Sequence, residues 1–443
     1  MPEIIPQIPK GFRDFLPEKL IHRQRIIETI RRCFESFGFE PLETPTLEFA
    51  KTLEGKYGEE GEKLIYKFED QGGRKLALRY DLTIPLSRVM GMYPELVKPF
   101  KCYQISPVWR ADKPQKGRFR EFWQCDVDIV GTRSVLADAE IVNIISTVLK
   151  RLGFEKFTIR INNRKLLNGI VLWAGIEEKR TAGFLRSLDK LSQSDSQIVQ
   201  QELKDKGFDE TSISRFFQLL EKSKEQKAFF IYLKEILSSI PSAMEGICEL
   251  EELSQCLNSF EIPLDNFVFD LSLARGLDYY TGLIHETVVE QPKIGSITGG
   301  GRYDKLIGLF SGSELPATGA SFGLERIFLV MEELSMLPPL STSIQVLFVL
   351  FKNGLLEKIL HLATRLRSLG INTEVYLQDD RLKKQLAYAN SKGIPWVIIL
   401  GPDELKRGKL VLRNMVRGDQ EEIPLDRVEE VIRRIEAPSP DRS

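Results

Sequence analysis

A proline- and serine-rich segment at residues 336–343, MLPPLSTS, separates two stretches of different pattern. After it, strand-like runs alternate with helix-like runs, in the order VLFVLF, LLEKILHLATRLRSLG, NTEVYL, RLKKQLAYANSKG and WVIILG. Such alternation is typical of a small α/β domain with a central, largely parallel sheet. We therefore predict a linker over 334–343, an α/β domain over 344–436 and a short tail at 437–443.

The stretch before the linker, residues 1–333, has a mixed pattern. Apolar residues at helical spacing predict a helix over 18–37, ended by Gly38, and another over 134–152. Short apolar and β-branched runs separated by turns predict antiparallel strands over 75–130, and strand signals return at 267–289. An α+β body with an antiparallel sheet follows from this pattern.

One long segment of the body differs from its surroundings. Residues 177–259 are rich in Lys, Glu, Gln and Ser, poor in Gly, and helical in pattern throughout. We interpret this segment as part of an inserted helical module over about 165–258.

Composition excludes several kinds of chemistry and location. The 443 residues carry 62 Lys and Arg against 63 Asp and Glu, so only a local basic face could bind nucleic acid. The five cysteines have no C-x-x-C spacing and the three histidines lie far apart, which argues against a zinc site or a histidine-centred dyad. The common glycine-rich nucleotide loops do not occur. We expect buried, reduced thiols in a cytoplasmic protein, with no secretion signal and no membrane-spanning segment.

Charged residues recur within one strand-like stretch. In GRFREFWQCDVD, alternation puts a set of polar residues on one face of an extended strand, namely Arg118, Arg120, Gln124, Asp126 and Asp128. Such a face is costly to bury unless charged groups cover it, and a ligand with phosphates at one end and an amine at the other would match it. A solvated face with surface ion pairs is the alternative, and the pattern alone does not decide between them.

Three further segments combine charge with glycine. LARGLDYYTG, at 273–282, puts a fixed cation, an acid and two phenols into an apolar region. TGGGRYD, at 298–304, is typical of a turn when taken alone, although its glycines also permit close approach of a ligand. GASFGLER, at 319–326, opens a predicted helix with small residues and puts Arg326 in its first turns.

Together these segments resemble those of histidyl-tRNA synthetase, a class II aminoacyl-tRNA synthetase, over nearly the whole chain. Motif 1 of the class is matched by Gly38-Phe39 leading to Pro45, motif 2 by VWRADKPQKGRFREFWQCDVD, and motif 3 by GASFGLERIF. RGLDYY at 275–280 and GGGRYD at 299–304 match signatures that separate histidyl enzymes from other class II members. RYDLT at 79–83 is closer to the archaeal and eukaryotic form. The implied fold is a class II antiparallel-sheet catalytic core with a helical insertion, plus a C-terminal α/β anticodon-binding domain.

The resemblance also implies a reaction and the residues that perform it. Histidine would be activated by ATP to histidyl-adenylate and then transferred to the 3′ end of its tRNA. Arg275 and Arg110 would be the catalytic cations, with Arg275 standing where other class II enzymes place a metal ion. The implied histidine-binding residues are Asp81, Leu82, Thr83, Arg110, Gln124, Asp128, Arg275, Tyr279, Tyr280 and Tyr303. The implied ATP-binding residues are Arg110, Arg118, Arg120, Glu121 and Arg326.

The implied partners are L-histidine, ATP, histidine tRNA and a second copy of the chain, joined at motif 1, with no membrane. Mg²⁺ would be held mainly by the phosphates of ATP, so no metal-binding motif in the protein is expected. In the C-terminal domain a basic cluster could meet tRNA phosphates or form a solvated charged edge, namely Lys406, Arg407, Lys409, Arg413 and Arg417.

Two other functions compete with this one. The regulatory subunit of ATP phosphoribosyltransferase keeps the catalytic fold to sense histidine, but such subunits typically lack the C-terminal domain and depart from RGLDYY and from the arginines of motifs 2 and 3. The other alternative is a nucleotide-binding α/β enzyme that acts on a different acid substrate. The matched motifs favour the synthetase over both.

Overall fold

The computed structural model describes residues 5–192, 195–224, 229–275, 279–339, 342–351 and 354–436. The chain forms two compact units, one of Met1–Arg13 with Ile26–Met336 and one of Asp14–Arg25 with Leu337–Ser443. The division after residue 336 falls inside the predicted linker, whereas the grouping of residues 14–25 with the second unit was not predicted. The predicted tail at 437–443 lies outside the described residues.

The first unit is built around one large sheet. Its described strands are, in chain order, β1 (Glu40–Pro41), β2 (Leu47–Phe49), β3 (Lys67–Glu69), β4 (Lys75–Leu78), β5 (Phe100–Trp109), β6 (Glu121–Val130), β7 (Thr158–Asn163), β8 (Phe267–Phe269), β9 (Leu283–Val288), β10 (Thr298–Arg302) and β11 (Ala317–Gly323). Eight of them pair in the order β1-β5-β6-β11-β10-β9-β7-β8. The pairs are antiparallel except at the two edges, where β1 lies parallel to β5 and β8 parallel to β7. A smaller sheet has the order β2-β4-β3.

Helices pack on the large sheet and form the insertion. Up to residue 333 they are α1 (Pro17–Ser36), α2 (Ala50–Leu53), α3 (Gly58–Glu62), α4 (Thr83–Met92), α5 (Val135–Arg151), α6 (Arg164–Trp173), α7 (Glu178–Leu188), α8 (Ser196–Asp205), α9 (Glu210–Lys224), α10 (Phe229–Leu237), α11 (Pro241–Ser259), α12 (Gly308–Ser311) and α13 (Leu324–Glu333). The helices predicted over 18–37 and 134–152 are confirmed as α1 and α5. Gly38, at φ +77°, follows the end of α1 as expected of a helix stop. The predicted helical module is confirmed as the run from α6 to α11.

Three local predictions were wrong. Residues 83–92, inside the stretch predicted as antiparallel strands, form α4, whose first turn is held by the Asp81 carboxylate accepting from the Ile84 amide. TGGGRYD does not form a turn, because its glycines lie in β10 between two antiparallel neighbours. The small residues at 319–323 form strand β11, so the predicted helix begins only at Leu324.

The second unit has the alternating order that the sequence predicted. Its elements after the linker are β12 (Val346–Phe348), α14 (Leu356–Ser368), β13 (Thr373–Val375), α15 (Leu382–Lys392), β14 (Trp396–Ile399), α16 (Pro402–Lys406), β15 (Lys409–Asn414), β16 (Gln420–Pro424) and α17 (Glu430–Glu436). The strand order is β13-β12-β14-β15-β16, parallel among the first three and antiparallel thereafter. Side chains of β12, β14 and β15 pack with those of α14 into a buried core.

Two expectations about the whole chain can be compared with the structure. Cys33, Cys102 and Cys125 are buried, but Cys248 is exposed and Cys256 half-buried, so the prediction of buried thiols holds for three of the five. No helix among the described residues is long and apolar enough to span a bilayer.

Candidate active site

One face of the large sheet carries a row of polar side chains. Strand pairing aligns one residue from each of five adjacent strands: four are polar, Gln104, Asp126, Ser321 and Glu286, and the fifth is Gly299, between Ser321 and Glu286. Paired residues project to the same face, and so do residues two apart on one strand. Gln124, Asp126 and Asp128 therefore share a face, as the sequence predicted, and all three are buried.

Arg118 and Arg120 do not extend this row, contrary to the prediction. β6 begins at Glu121, and both arginines precede it in the connection from β5, where Gly117 makes a turn at φ +73°. The Arg120 guanidinium donates to the carbonyl of Asp112 at 3.1 Å and to that of Lys10 at 3.3 Å. These bonds tie the N-terminal segment to the connection, so Arg120 stabilises this part of the structure. Arg118 is exposed.

Four arginines, Arg110, Arg118, Arg275 and Arg326, lie close enough for three of them to affect the fourth electrostatically. Arg326, the third residue of α13, donates to the carbonyls of Ser296 at 2.6 Å and Gly117 at 3.4 Å. Burial lowers the pKa of Arg326, and the guanidiniums of Arg118, Arg275 and Arg110 lower that pKa further. Guanidiniums gathered in this way repel one another, and a polyanion placed among them would relieve the repulsion. The cluster is thus suited to phosphates.

Arg110 is held in place by aromatic rings and one backbone bond. Its guanidinium lies 4.3 Å from the centroid of the Tyr80 ring and 5.0 Å from that of Phe122. Its Nε donates to the carbonyl of Tyr80 at 3.1 Å. Stacking fixes the plane of the guanidinium and leaves its terminal nitrogens to meet an anion.

Arg275 occupies space that exists only because residue 299 is glycine. A Cβ atom at Gly299 would overlap the Arg275 guanidinium. The nearest carboxylate contact that the structure gives for Arg275 is Glu286 Oε2, at 3.5 Å from Nη1. Residues 276–278 of the RGLDYY motif lie outside the described residues. Gly299 therefore brings the guanidinium down onto the sheet face.

Asp128 is buried on the sheet face that carries the row. The Tyr303 hydroxyl donates to Asp128 Oδ1 at 2.6 Å. Burial raises the pKa of Asp128 to about 7; the Tyr303 bond opposes this rise, and the Asp81 carboxylate adds to it. Burial also raises the pKa of Asp126 well above its ordinary value, and Asp128 raises it further. The two carboxyls are thus suited to a cationic or hydrogen-donating ligand.

Asp81, Leu82 and Thr83 lie where β4 leads into α4. Asp81 Oδ1 accepts from the Tyr57 hydroxyl at 3.1 Å and from the Ile84 amide at 3.0 Å, and burial raises its pKa. Leu82 is buried, with its carbonyl accepting from Gln104 Nε2 at 3.0 Å, so its side chain belongs to the core. Thr83, the first residue of α4, is half-buried.

The predicted tyrosines lie close together. The hydroxyl of Tyr279 donates to that of Tyr280 at 3.2 Å, with the ring centroids 4.4 Å apart. The Tyr279 ring meets the Tyr303 ring edge to face, at 6.3 Å. Burial raises the pKa of Tyr280; Arg275 opposes this rise and Asp128 adds to it, so charged groups of both signs act on this phenol.

Glu121 and Arg302 lie on the opposite face of their strands from the row. Glu121, predicted to bind ATP, is exposed at the start of β6 and accepts from Trp109 Nε1 at 3.3 Å. Arg302 of GGGRYD is buried and pairs with Asp138 of α5, and it donates to the carbonyls of Thr132 and Ser134, each at 3.0 Å. Arg302 thus joins β10 to the start of α5 and turns away from the pocket.

Comparison with known proteins identifies the family. A family model described as histidyl-tRNA synthetase matches residues 11–327, and one described as an anticodon binding domain matches residues 345–435. The chain belongs to the histidyl-tRNA synthetase family. A histidine–tRNA ligase of Cytophaga hutchinsonii is 40% identical over 446 residues, which cover 96% of this chain and 98% of that protein.

Solved structures of histidyl-tRNA synthetases have the same fold. The structure of the enzyme from Nostoc sp. PCC 7120 superposes with a TM-score of 0.87 at 31% identity, covering 98% of this chain and 100% of that chain. A Bacillus halodurans structure described as an ATP phosphoribosyltransferase regulatory subunit/histidyl-tRNA synthetase superposes with a TM-score of 0.74, covering 88% of this chain and 97% of that one. At 22% identity, this second likeness concerns the fold alone.

In this family member, sequence reasoning missed residues that contact the predicted site. Tyr57 bonds Asp81, and Glu286 contacts Arg275 while pairing with Arg160 of β7 at 2.6 Å. The alternation in RINN shows which face of its strand Arg160 occupies, and that in HETVV does the same for Glu286. Only the pairing of β7 with β9 brings them opposite each other, and no sequence signal gave that pairing.

The basic cluster of the second unit runs from the end of α16, at Lys406, along β15 to the turn before β16, which pairs antiparallel with β15. Arg407 and Lys409 both pair with Glu422, at 2.7 and 2.8 Å. Arg417 contacts Asp419 at 3.5 Å. Exposed pairs of this kind contribute little to stability and give way easily to phosphate, but their presence favours the charged-edge interpretation of the cluster.

Proposed function

We propose that the chain activates L-histidine with ATP, releasing pyrophosphate, and transfers histidine from the adenylate to the 3′ end of histidine tRNA. The observation that carries the proposal is a group of arginines beside buried carboxyls. The Arg275 guanidinium lies against Gly299, on the sheet face that carries buried Asp126, and Arg326 bonds the carbonyl of Gly117, next to Arg118. Family membership and the anticodon-binding match support the same reaction.

The first step is difficult for an electrostatic reason. A carboxylate attacks the α-phosphate of a polyanion, and charge builds on the α-phosphoryl oxygens as pyrophosphate leaves. Arg110 binds the histidine carboxylate and the α-phosphate, and Arg275 meets the α-phosphate from the sheet side. Guanidiniums stay protonated at every working pH, so they hold this charge without any proton transfer.

Arg326 and Arg118 bind the β- and γ-phosphates. Arg326 lies at the start of α13, and Arg118 lies nearby in the connection before β6. ATP enters as its magnesium complex, with the ion held mainly by phosphate oxygens. Of the two arginines predicted for these phosphates, Arg118 is favoured, because the Arg120 guanidinium is bonded to two backbone carbonyls.

Histidine is selected by the buried end of the pocket. Asp128 Oδ1 accepts from Tyr303, and its second oxygen accepts a ring N–H of the substrate while Tyr280 meets the other ring nitrogen. Asp81, Gln124 and Thr83 bind the α-ammonium group. An apolar side chain of similar size would leave these buried polar groups unpaired, which costs enough to reject it without an editing site.

The second unit binds the anticodon stem of the tRNA, and the helical insertion approaches the acceptor arm. The transfer step needs the terminal ribose held against the adenylate more than it needs a strong base. We place the reaction in the cytoplasm, where the free cysteines stay reduced.

The chain acts as a homodimer. The smaller sheet supports this, because Leu47 and Phe49 of β2 and Phe68 of β3 are exposed on it. Pairing through β4 puts these three side chains on one face with Leu76 and Leu78. A contiguous apolar face of this kind favours burial against another protein surface, and it directly follows the motif 1 segment.

Pyrophosphate exchange tests the proposal. The purified protein is expected to exchange labelled pyrophosphate into ATP only when histidine is present, and to charge histidine tRNA. Histidine binding without exchange would favour the regulatory-subunit alternative. Exchange driven best by another amino acid would favour an enzyme with a different acid substrate.

A further inference from the structure

We propose that Glu286 and Arg160 are positioning residues for Arg275: they hold its guanidinium at the α-phosphate while leaving its charge available. This inference rests on the proposed function and deepens it. Neither residue belongs to one of the sequence motifs, and neither was predicted to take part in the site. Three observations support it: the sheet register, the anchoring of the segment before Arg275, and the unequal sharing of the Glu286 carboxylate.

The register aligns the three groups across adjacent strands. Arg160 of β7 pairs with Glu286 of β9, which pairs with Gly299 of β10. Gly299 has no side chain, and the Arg275 guanidinium fills the place that its Cβ would take. Across β7, β9 and β10, this face of the sheet therefore presents the Arg160 guanidinium, the Glu286 carboxylate and the Arg275 guanidinium in that order. The last guanidinium comes from a segment outside the sheet, which rests on the strand surface at this point.

The segment that carries Arg275 is fastened to β7. Arg160 Nε donates to Asp270 Oδ2 at 2.7 Å, and its Nη2 donates to Ser272 Oγ at 3.1 Å. Asn162, two residues along on the same face, donates to the carbonyl of Leu273 at 3.0 Å. Burial would raise the pKa of Asp270, but Arg160 and Ser272 more than offset this and leave it lower than usual. The chain is thus fixed up to two residues before Arg275.

The Glu286 carboxylate is shared unequally. Arg160 Nη1 holds Oε1 at 2.6 Å, a short charge-assisted bond, whereas Arg275 Nη1 reaches Oε2 only at 3.5 Å. A carboxylate bound to Arg275 alone would neutralise the cation that the α-phosphate needs. Because Arg160 takes most of the charge of Glu286, the longer contact orients Arg275 and yields to a phosphate oxygen when ATP binds.

A network of this kind could also serve stability alone, and the two roles differ in what they predict. The test uses the full-length protein and measures single-turnover adenylate formation at saturating histidine and MgATP, histidine affinity, and the thermal midpoint. Glu286→Gln keeps the side-chain shape and removes the charge. Glu48→Gln is the matched control, since the Arg88–Glu48 pair is equally buried in the same unit, at 2.7 Å.

We expect Glu286→Gln to slow adenylate formation by about 10- to 100-fold, because a misplacement of about 1 Å can cost that much. Histidine affinity should change by less than about threefold. Glu48→Gln should leave the adenylation rate unchanged. If both variants slow adenylation equally, or if Glu286→Gln acts only through a lower thermal midpoint, the positioning role is wrong.

A double-mutant cycle gives the second test. In an Arg275→Ala background, Glu286→Gln and Arg160→Met should each cause no further loss, because they act through a guanidinium that is no longer present. Losses that multiply would overturn the proposal. Should Glu286→Gln not fold, Glu286→Asp, which withdraws the carboxylate by one methylene, enters the same cycle. If the unaltered protein shows no histidine-dependent exchange, the proposed function fails, and the positioning role fails with it.

Discussion

At the scale of single residues, the site contains two kinds of charged group: guanidiniums, which are permanent cations, and carboxyls, which can gain or lose a proton. The guanidiniums keep their charge whatever the burial, whereas Asp81, Asp126 and Asp128 respond to burial with raised pKa values. The raised pKa values reflect the free-energy cost of removing a carboxylate from water. In the proposed function, a bound ammonium group would favour the ionised form of these carboxyls.

Asp128 gives this argument a measurable consequence for stability. Its pKa in the folded chain is about 7, above the ordinary value of 3.8, so the folded state keeps a proton that the unfolded state has lost. The free energy of unfolding should therefore fall as the pH rises from about 4 to 7 and level off above that. Relative to the unaltered chain, Asp128→Asn should gain about 2 to 3 kcal/mol between pH 5 and pH 8. Urea unfolding of both proteins at the two pH values measures this gain.

The quantity to compare is the difference in free energy of unfolding between Asp128→Asn and the unaltered chain at each pH. Subtraction removes the share of buried carboxyls that do not interact with Asp128. Asp126 is different, because Asp128 raises its pKa, and loss of that effect in Asp128→Asn adds to the expected gain. Profiles that run parallel between pH 5 and pH 8 would contradict a raised pKa for Asp128. Histidine affinity should fall in Asp128→Asn at either pH, because an amide in that position offers the ring N–H a weaker acceptor.

Alternation along the sequence could predict the placement of a side chain only relative to other residues of the same strand. Period-two alternation was enough to put Gln124 and Asp128 on one face. It failed for Arg118 and Arg120 because nothing in FRE indicates that the strand begins at Glu121. Tyr57 and Glu286 could not be found from sequence, because each reaches the site from a segment whose position depends on pairing or packing far along the chain.

At the scale of elements, β10 determines how closely other groups approach the site. Its glycines look like a turn in isolation, and local propensity supports that view. Two antiparallel neighbours override the propensity by supplying a full ladder of hydrogen bonds. The glycines serve the two faces differently: Gly299 makes room for the Arg275 guanidinium, and Gly300 makes room for the Gly319 carbonyl and the His285 ring behind the sheet.

This difference predicts opposite outcomes for two neighbouring substitutions. In Gly299→Ala the new methyl group meets the end of a flexible side chain, which can move, so stability should change by less than about 1 kcal/mol. Adenylate formation should fall by about 10- to 100-fold because Arg275 is displaced. In Gly300→Ala the methyl group meets backbone, which should cost about 1 to 3 kcal/mol or more. Thermal unfolding and single-turnover rates of both variants separate the two effects.

Each variant is the control for the other. A Gly299→Ala protein with a normal rate would mean that Arg275 has another productive position, which would weaken its role at the α-phosphate. A Gly300→Ala protein as stable as the unaltered chain would mean that β10 can shift away from β11. Neither result is expected from the register of these strands.

At the scale of the whole molecule, the site and the alternating domain are separate parts of the chain. Every described residue of the candidate active site belongs to the first unit. The order of elements in the second unit could be predicted because each strand and helix has its own local pattern. The grouping of residues 14–25 with the second unit could not be predicted, because the first half of α1 has the same amphipathic pattern as the rest of that helix.

This separation predicts what remains when the chain is ended at residue 336. Histidine-dependent pyrophosphate exchange should stay within a few-fold of the full-length rate, because no residue of the site is removed. Charging of histidine tRNA at low tRNA concentration should fall by more than about 100-fold, since about 3 kcal/mol of lost binding free energy is enough for that. Residues 14–25 remain and lose the unit with which they group, so a lower thermal midpoint is expected as well. If the shortened protein still unfolds cooperatively but has lost exchange, the second unit takes part in histidine activation. That would contradict the proposal that the first unit performs activation by itself.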